Sequence, residues 1–203
     1  MKKSLIAIIA IVVLIAIVGF MLGPKFYNTG IELKENATAQ WGNVESAYQR
    51  RADLIPNIVN TAKGYAEFEQ ETLTKIIEAR SKATSITIDP SNITPEQLQQ
   101  FQQAQSGLTS ALSRLLAVFE RYPELKANEN FKELINELER TENRINVERN
   151  RFNETVKPFN KHLKTFPNNI VNKFIGKFKE MEYFEADEGT NKAPKVDFDF
   201  GKK

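Results

Sequence analysis

The strongest constraint on this chain is an apolar run close to its N-terminus. Residues 5–22 contain 18 consecutive positions without a charged side chain. As a helix that rises ~1.5 Å per residue, this run is about 27 Å long, close to the hydrocarbon thickness of a bilayer. The run is therefore expected to contact the lipid bilayer directly, and the rest of the fold must begin at the membrane surface.

Two interpretations of the run compete, an uncleaved anchor and a cleaved signal peptide. Signal peptides have an apolar core of ~7–15 residues that ends at small residues suited to cleavage. Here the run is longer, and its exit through Gly23 and Pro24 has no A-x-A pattern. The chain also has no cysteine that could carry a lipid. The sequence favours a single-pass anchor over residues 1–24, ended by Gly23-Pro24.

Basic residues near the run indicate its orientation. Lys2, Lys3 and the terminal amine precede the run, and Lys25 and Lys34 follow it. The excess on the N-terminal side is small, and it predicts a cytoplasmic N-terminus with the main domain outside the cytoplasm.

The part beyond the anchor is electrically neutral. The chain has 28 Lys and Arg against 26 Asp and Glu, and two of the lysines precede the run. A neutral domain lacks the surplus of positive charge that non-specific nucleic-acid binding requires, so no nucleic-acid partner is expected.

Apolar residues recur at steps of three and four along this neutral part, a period typical of helices packed in a bundle. Helices are predicted over residues 31–83, 94–122, 129–164 and 170–183. Pro56 is expected to bend the first helix, with a break near Asp53 as the alternative. Thr94, Pro95 and Gln97 form a capping-box pattern. The predicted fold is all-α, an antiparallel up-and-down bundle over residues 25–185 after one transmembrane helix, with an extended tail over residues 186–203.

Several short segments, in a fixed order along the chain, carry a family resemblance. They are Trp41, Val44-Glu45, residues 48–57, Gly64-Tyr65, Ala79-Arg80, residues 122–126, residues 148–153, Phe166-Pro167 and residues 183–186. Together with the anchor, they resemble the LemA family of single-pass bacterial membrane proteins. The resemblance implies a cytoplasmic-membrane protein with a helical-bundle domain, and it implies no settled molecular activity.

Charged and amide side chains cluster in the first and third long helices. The candidate polar network consists of Arg50, Arg51, Asp53, Asn57, Arg149, Asn150 and Asn153. One hypothesis is a partly buried network that fixes the register of the helices, because losing one partner of a buried pair strands the other. The alternative is a site for a ligand or a partner.

A second candidate lies near the C-terminus, where lysines alternate with aromatic residues. The candidate contact surface is Lys173, Phe174, Lys177, Phe178 and Lys179. Packing against the bundle is one interpretation, and contact with anionic lipid or a membrane-protein partner is the other.

Residues suited to catalysis or metal binding are few. His162 is the single histidine and is expected to be an ordinary surface or helix-end residue, while the acidic residues within 67–71 are expected to form a solvated face. We assign no catalytic residue, metal or cofactor. The sequence favours a binding or scaffolding protein with an unidentified membrane-protein partner. The alternative is an enzyme or a ligand- or cation-binding protein of unrecognised type that uses Arg50, Arg51 and Asp53.

Overall fold

The computed structural model describes residues 2–64 and 69–185 of the chain. Its first helix, α1, spans Lys2–Lys63 without interruption and contains both Pro24 and Pro56. The prediction that Gly23-Pro24 ends the membrane helix is therefore wrong. A proline removes one backbone donor and disturbs one turn, and the helix continues because the segments on both sides are strongly helical.

The predicted helix over residues 31–83 is in fact two helices. α1 ends at Lys63 next to Gly64, a residue about 1 kcal/mol less favourable than Ala in a helix. Residues 65–68 lie outside the described residues, and α2 spans Gln70–Thr84. The alternative break near Asp53 is wrong, because α1 runs through that position.

The third helix, α3, spans Pro95–Phe119 and begins at the predicted capping box. The Gln97 N–H donates to Thr94 Oγ1 and the Thr94 N–H donates to Gln97 Oε1, each at 3.2 Å. A short helix, α4, spans Pro123–Ala127. α5 spans Glu129–Lys164, as predicted, and its first turn is capped by Asn128 Oδ1, which accepts from the Phe131 N–H.

The last helical segment is shorter than predicted. α6 spans Asn168–Val171 and continues into a π-helical turn over Asn172–Gly176. Lys177 then adopts a left-handed backbone conformation with φ of 52°. The Asn172 side chain bonds both the N–H and the C=O of Phe178, so these backbone groups leave the helical pattern. Residues 177–185 lie outside any helix, and the prediction of a helix up to residue 183 is wrong.

Side-chain contacts define the bundle topology. Gln40 on α1 bonds Glu148 on α5, and Arg50 bonds Glu137, so the two helices run antiparallel. The end of α3 reaches the start of α2 through an ion pair between Arg121 and Glu69. No strand occurs in the part of the chain that the structure describes. The predicted all-α, antiparallel up-and-down bundle is confirmed, while residues 186–203 lie outside the described residues.

The core is divided into two apolar clusters along the bundle axis. The cluster nearer the apolar run includes Trp41, Phe101 and Phe152, and the other includes Leu108 and Phe131. Burial of this apolar area is the main favourable contribution to folding. On α1, the first cluster reaches Tyr48 and the second begins at Ile55, so the two are separated by about two turns.

Arg51 occupies this gap and is only 1% exposed. Its Nη1 donates to Thr109 Oγ1 at 2.8 Å and to Glu142 Oε2 at 2.7 Å. Its Nη2 donates to the Gln105 side-chain oxygen at 2.7 Å and to the Gln105 backbone oxygen at 3.2 Å. The guanidinium also lies over the Tyr48 ring, 5.2 Å from its centroid.

These contacts form a polar layer that joins all four long helices. Arg51 comes from α1, Gln105 and Thr109 from α3, and Glu142 from α5, while Gln105 Nε2 reaches α2 by donating to the Ala83 carbonyl at 3.3 Å. Sliding one helix by a turn would separate the buried guanidinium from its acceptors. The layer therefore fixes helix register, and it divides the apolar core in two.

A second polar contact offsets the donor missing at Pro56. Proline has no N–H, so the carbonyl four residues earlier, at Ala52, loses its normal partner in the helix. Arg80 on α2 supplies the replacement, because its Nε donates to the Ala52 carbonyl at 2.7 Å. The helix thus continues through Pro56 with this carbonyl satisfied from a neighbouring helix.

Replacing Arg51 by Ala is expected to destabilise the protein by about 3 kcal/mol, because it strands buried acceptors. The matched control is Arg50→Ala, which removes an exposed ion pair and should cost less than about 1 kcal/mol. Urea unfolding of both variants in the same detergent would measure the difference. Equal losses in the two variants would contradict the role of Arg51 in register.

The Arg80 contact predicts a specific coupling to Pro56. Arg80→Met should cost about 1–3 kcal/mol in the native background, because the Ala52 carbonyl loses its donor. In a Pro56→Ala background the restored N–H can bond that carbonyl, so the same substitution should cost less. A double-mutant cycle on unfolding free energies measures the coupling. A coupling energy near zero would contradict this account.

Candidate functional site

An open charged groove lies between α1 and α5 in the middle of the bundle. It encloses about 450 Å³ and is lined by Asn43, Ser46, Ala47, Arg50, Glu137, Arg140, Thr141 and Arg144. Glu137 is its one carboxylate, and it pairs with Arg50 at 2.5 Å and with Arg140 at 3.3 Å. Three arginines facing one carboxylate give the groove a positive balance. We call this feature the α1/α5 groove.

The predicted polar network is divided among separate places in the structure. Arg50 lines the groove, whereas Arg51 is buried in the polar layer. Asp53 accepts a hydrogen bond from Gln49 on the exposed face of α1, and Asn57 is exposed. Arg50, Asp53 and Asn57 lie together on one exposed face of α1, whereas Arg51 points into the bundle, where its partners are Gln105, Thr109 and Glu142. The hypothesis of one network is therefore wrong, because Arg51 lies on a different side of α1 from the other three residues.

Arg149 and Asn153 instead hold the non-helical C-terminal segment, residues 177–185, which we call the strap. Asn153 Oδ1 accepts from the Phe184 N–H at 2.8 Å, and its Nδ2 donates to the Phe184 carbonyl at 2.9 Å. Arg149 donates to the Glu185 carbonyl at 2.7 Å. Asn150, also proposed for the network, is exposed. Arg149 and Asn153, two members of the predicted network, therefore bind the strap.

A second asparagine repeats this geometry two turns later on α5. Asn160 is buried, accepts from the Met181 N–H at 2.9 Å and donates to the Met181 carbonyl at 2.8 Å. Seven helical residues span about 10.5 Å and three extended residues about 10 Å, so the two spacings match. The side chains of α5 thus bond the strap backbone at regular intervals. Sequence reasoning missed Asn160, although its seven-residue spacing from Asn153 is a visible signal.

The strap also completes the apolar cluster near the membrane. The Phe184 ring stacks on Trp41, with centroids 5.6 Å apart and planes within 5°. Lys164 Nζ contacts Glu180 at 2.7 Å. The hydrogen bond and negative charge of Glu180 raise the pKa of Lys164 above its ordinary value. This exposed pair adds to the strap contacts at neutral pH, and the contribution is lost as the pH rises through the raised pKa.

Four of the five residues of the predicted contact surface are exposed, and one, Phe178, packs against the bundle. Lys173, Lys177 and Lys179 are exposed, and Phe174 is 73% exposed. Phe178 is packed inward, with its ring 6.0 Å from both Phe26 and Phe159. Ile175 in the same segment is also exposed, and sequence reasoning did not include the outward side chains of Phe166 and Ile170 in this surface.

His162 lies in the last turn of α5, as predicted for a helix-end residue, but it is half-buried and packed. Its ring stacks on Phe26, with centroids 4.7 Å apart, and its Nε2 lies 2.9 Å from the Phe26 carbonyl. It therefore joins the end of α5 to α1 where α1 leaves the apolar run. Glu69 and Glu71 form ion pairs with Arg121 and Lys75, while Glu67 lies outside the described residues. Within residues 2–64 and 69–185, no three acidic, His or Cys side chains form a cluster suited to a metal.

Releasing the strap should change the fluorescence of Trp41, the single tryptophan of the chain. Asn160→Ala removes both bonds to Met181, so Phe184 should leave the indole more often and the emission should shift to longer wavelength. Asn150→Ala, an exposed amide on the same helix, is the control and should leave the spectrum unchanged. An unshifted Asn160→Ala spectrum with native thermal stability would show that Asn160 does not hold the strap.

Within the described residues, α1 is the one helix long and apolar enough to cross a membrane. The LemA family model matches residues 40–198, which covers most of the bundle. This match is consistent with a membrane-anchored protein.

The chain is also similar in sequence to individual proteins. Magnetosome proteins MamQ 1 and MamQ 2 of Paramagnetospirillum magneticum are each 27% identical over 176 residues, which cover 78% of this chain and 64% of theirs. Protein LemA of Metamycoplasma hominis is 30% identical over 128 residues, which cover 63% of this chain and 55% of that protein. The chain thus spans less than two thirds of the length of these relatives. Because the family model covers well over half of the sequence, the chain belongs to the LemA family.

Proposed function

We propose that this LemA-family chain is a single-pass membrane protein that binds and positions a partner through the α1/α5 groove. The observation that carries the proposal is the continuity of α1. One helix forms the apolar run, passes Pro24 and supplies Asn43, Ser46 and Arg50 to the groove. Each residue of the groove on α1 is therefore held at a set distance from the membrane, roughly 30–40 Å beyond Gly23.

The groove chemistry favours an acidic partner segment. Three arginine side chains of the groove are 62% to 70% exposed, those of Arg50, Arg140 and Arg144. Each pairs with Glu137 or Glu148 and still has donors that face solvent. Arginine forks suit carboxylates because they can form two parallel hydrogen bonds. Restriction to the membrane surface raises the effective concentration of a membrane-bound partner, so modest contacts suffice.

Binding rather than turnover is the activity we assign. The fold exposes long polar helix surfaces and holds them at a fixed distance from the membrane. Both properties suit a scaffold. We infer the side of the membrane from the small excess of basic groups before the run, where Lys2, Lys3 and the terminal amine face Lys25 and Lys34 after it; this excess supports a cytoplasmic N-terminus and an extracytoplasmic bundle. The partner is expected to be a membrane protein with an acidic segment on that side.

A photo-reactive side chain in place of Asn43 tests this proposal in native membranes. It should form one discrete cross-linked species, and Arg50→Glu with Arg140→Glu should reduce that species at least tenfold. The matched control, Lys75→Glu with Lys82→Glu on α2, makes the same charge change at exposed positions outside the groove and should leave cross-linking intact. Both double variants must keep their thermal unfolding profile.

Two results would contradict the proposal. One is the same cross-linked species from both double variants, which would show that groove charge is irrelevant. The other is turnover of a small substrate by the purified protein that Arg50→Ala or Asp53→Ala abolishes, which would favour an enzyme.

A further inference from the structure

We propose that residues 166–176, which we call the hook, form a second bilayer contact that inserts apolar side chains among anionic lipid headgroups. The inference rests on the proposed membrane anchorage through residues 5–22 and is independent of the α1/α5 groove. The hook includes Phe166, α6 and the π-helical turn.

Close packing places the hook beside the end of the apolar run. A Cβ added at Gly23 would lie 3.2 Å from Ile175 Cδ1, so the Ile175 side chain rests against α1 at that residue. A Cβ at Gly176 would lie 2.5 Å from the Phe26 ring, so the absence of a side chain there permits the approach. Ile175 also lines an open, mostly apolar cleft with Gly19, Phe20, Gly23, Pro24, Tyr27 and Asn28.

The level of Gly23 relative to the bilayer follows from helix length. The 18 residues before it span about 27 Å, which fills the hydrocarbon layer, so Gly23 lies close to the boundary with the headgroups. Ile175 contacts α1 at this position and must lie near the same boundary. A tilt of the helix would move both together, because they are in contact.

The outward side chains of the hook are apolar and unusually exposed. Phe166 is 77% exposed, Phe174 73%, Ile175 51% and Ile170 50%. Four large apolar side chains within ten residues are costly in water and suit a membrane interface. Through Ile175 they are continuous with α1, because Ile175 shares its cleft with Phe20, which is 82% exposed. This continuity with the membrane helix identifies the bilayer as the occupant.

Charge around the hook selects anionic lipid. Residues 161–179 contain five lysines and no acidic residue. Lys164 is paired with Glu180, and the others are Lys161, Lys173, Lys177 and Lys179. Lysine stems can lie along apolar surface while the ammonium reaches phosphate, and lysines near an anionic membrane surface are attracted to it.

Spin-label accessibility in nanodiscs tests the contact on the intact 203-residue chain, which contains no cysteine. A nitroxide attached after Phe174→Cys should be accessible to oxygen and shielded from an aqueous nickel chelate. The control label, after Lys132→Cys at the distal start of α5, should be freely accessible to the chelate. Shielding at Phe174 should increase when phosphatidylglycerol replaces part of the phosphatidylcholine.

Charge reversal separates lipid recognition from apolar insertion. Lys173→Glu with Lys179→Glu should remove most of the phosphatidylglycerol effect, whereas Lys75→Glu with Lys82→Glu should not. Equal chelate access at Phe174 and Lys132 would overturn the proposal. Shielding that appears only with two copies in one disc, or only in native membranes, would also overturn it and indicate a second copy or a protein partner. None of these outcomes depends on cross-linking from Asn43.

Discussion

Arg51 is buried between two apolar clusters and bonds residues of α3 and α5, while Gln105 extends the same layer to α2. Its Nε has no hydrogen-bond partner among the described residues, and Glu142 is 37% exposed. Burying this charge is therefore expensive, and its effect is on the register of the helices more than on net stability. Apolar stripes alone allow neighbouring helices to slide by a turn. The polar layer removes this freedom, and the positions of Arg50, the groove and the strap depend on it.

The second organising feature is the single helix shared by membrane and bundle. Because α1 continues through Pro24 and Pro56, no flexible link separates the apolar run from the groove. Arg80 satisfies the carbonyl that Pro56 leaves free, and His162 and the hook pack against α1 where it leaves the run. These contacts stabilise α1 near its two prolines, Pro24 and Pro56. A protein built in this way can present a surface to a membrane partner at a constant height and orientation.

The sequence predicts the helical class and topology well because these depend on local, periodic signals. The Thr94 capping box and the bounds of α5 are examples, since each follows from a few neighbouring residues. The continuity of α1 through Pro24 was not predictable, because it depends on how strongly the flanking turns favour a helix. The strap was missed for another reason. Residues 177–185 have lysines and aromatics at helical spacing, but the side chains of Asn153, Asn160 and Asn172 bond their backbone in place of helical partners. Likewise, Arg51 belongs to a cluster of charged residues that is visible in the sequence, while its partners are 54 to 91 residues away and could not be assigned.

The central claim, that anchor and bundle share one continuous helix, can be measured as a distance. Spin labels introduced by Leu14→Cys and Glu45→Cys are separated by 31 residues, or about 46 Å along an unbroken helix. Pulsed electron–electron double resonance in lipid nanodiscs should give a narrow distribution near this value, because a moderate proline kink shortens it only slightly. A broad distribution centred well below this distance would show that the helix breaks at Gly23-Pro24 and that the bundle moves independently of its anchor.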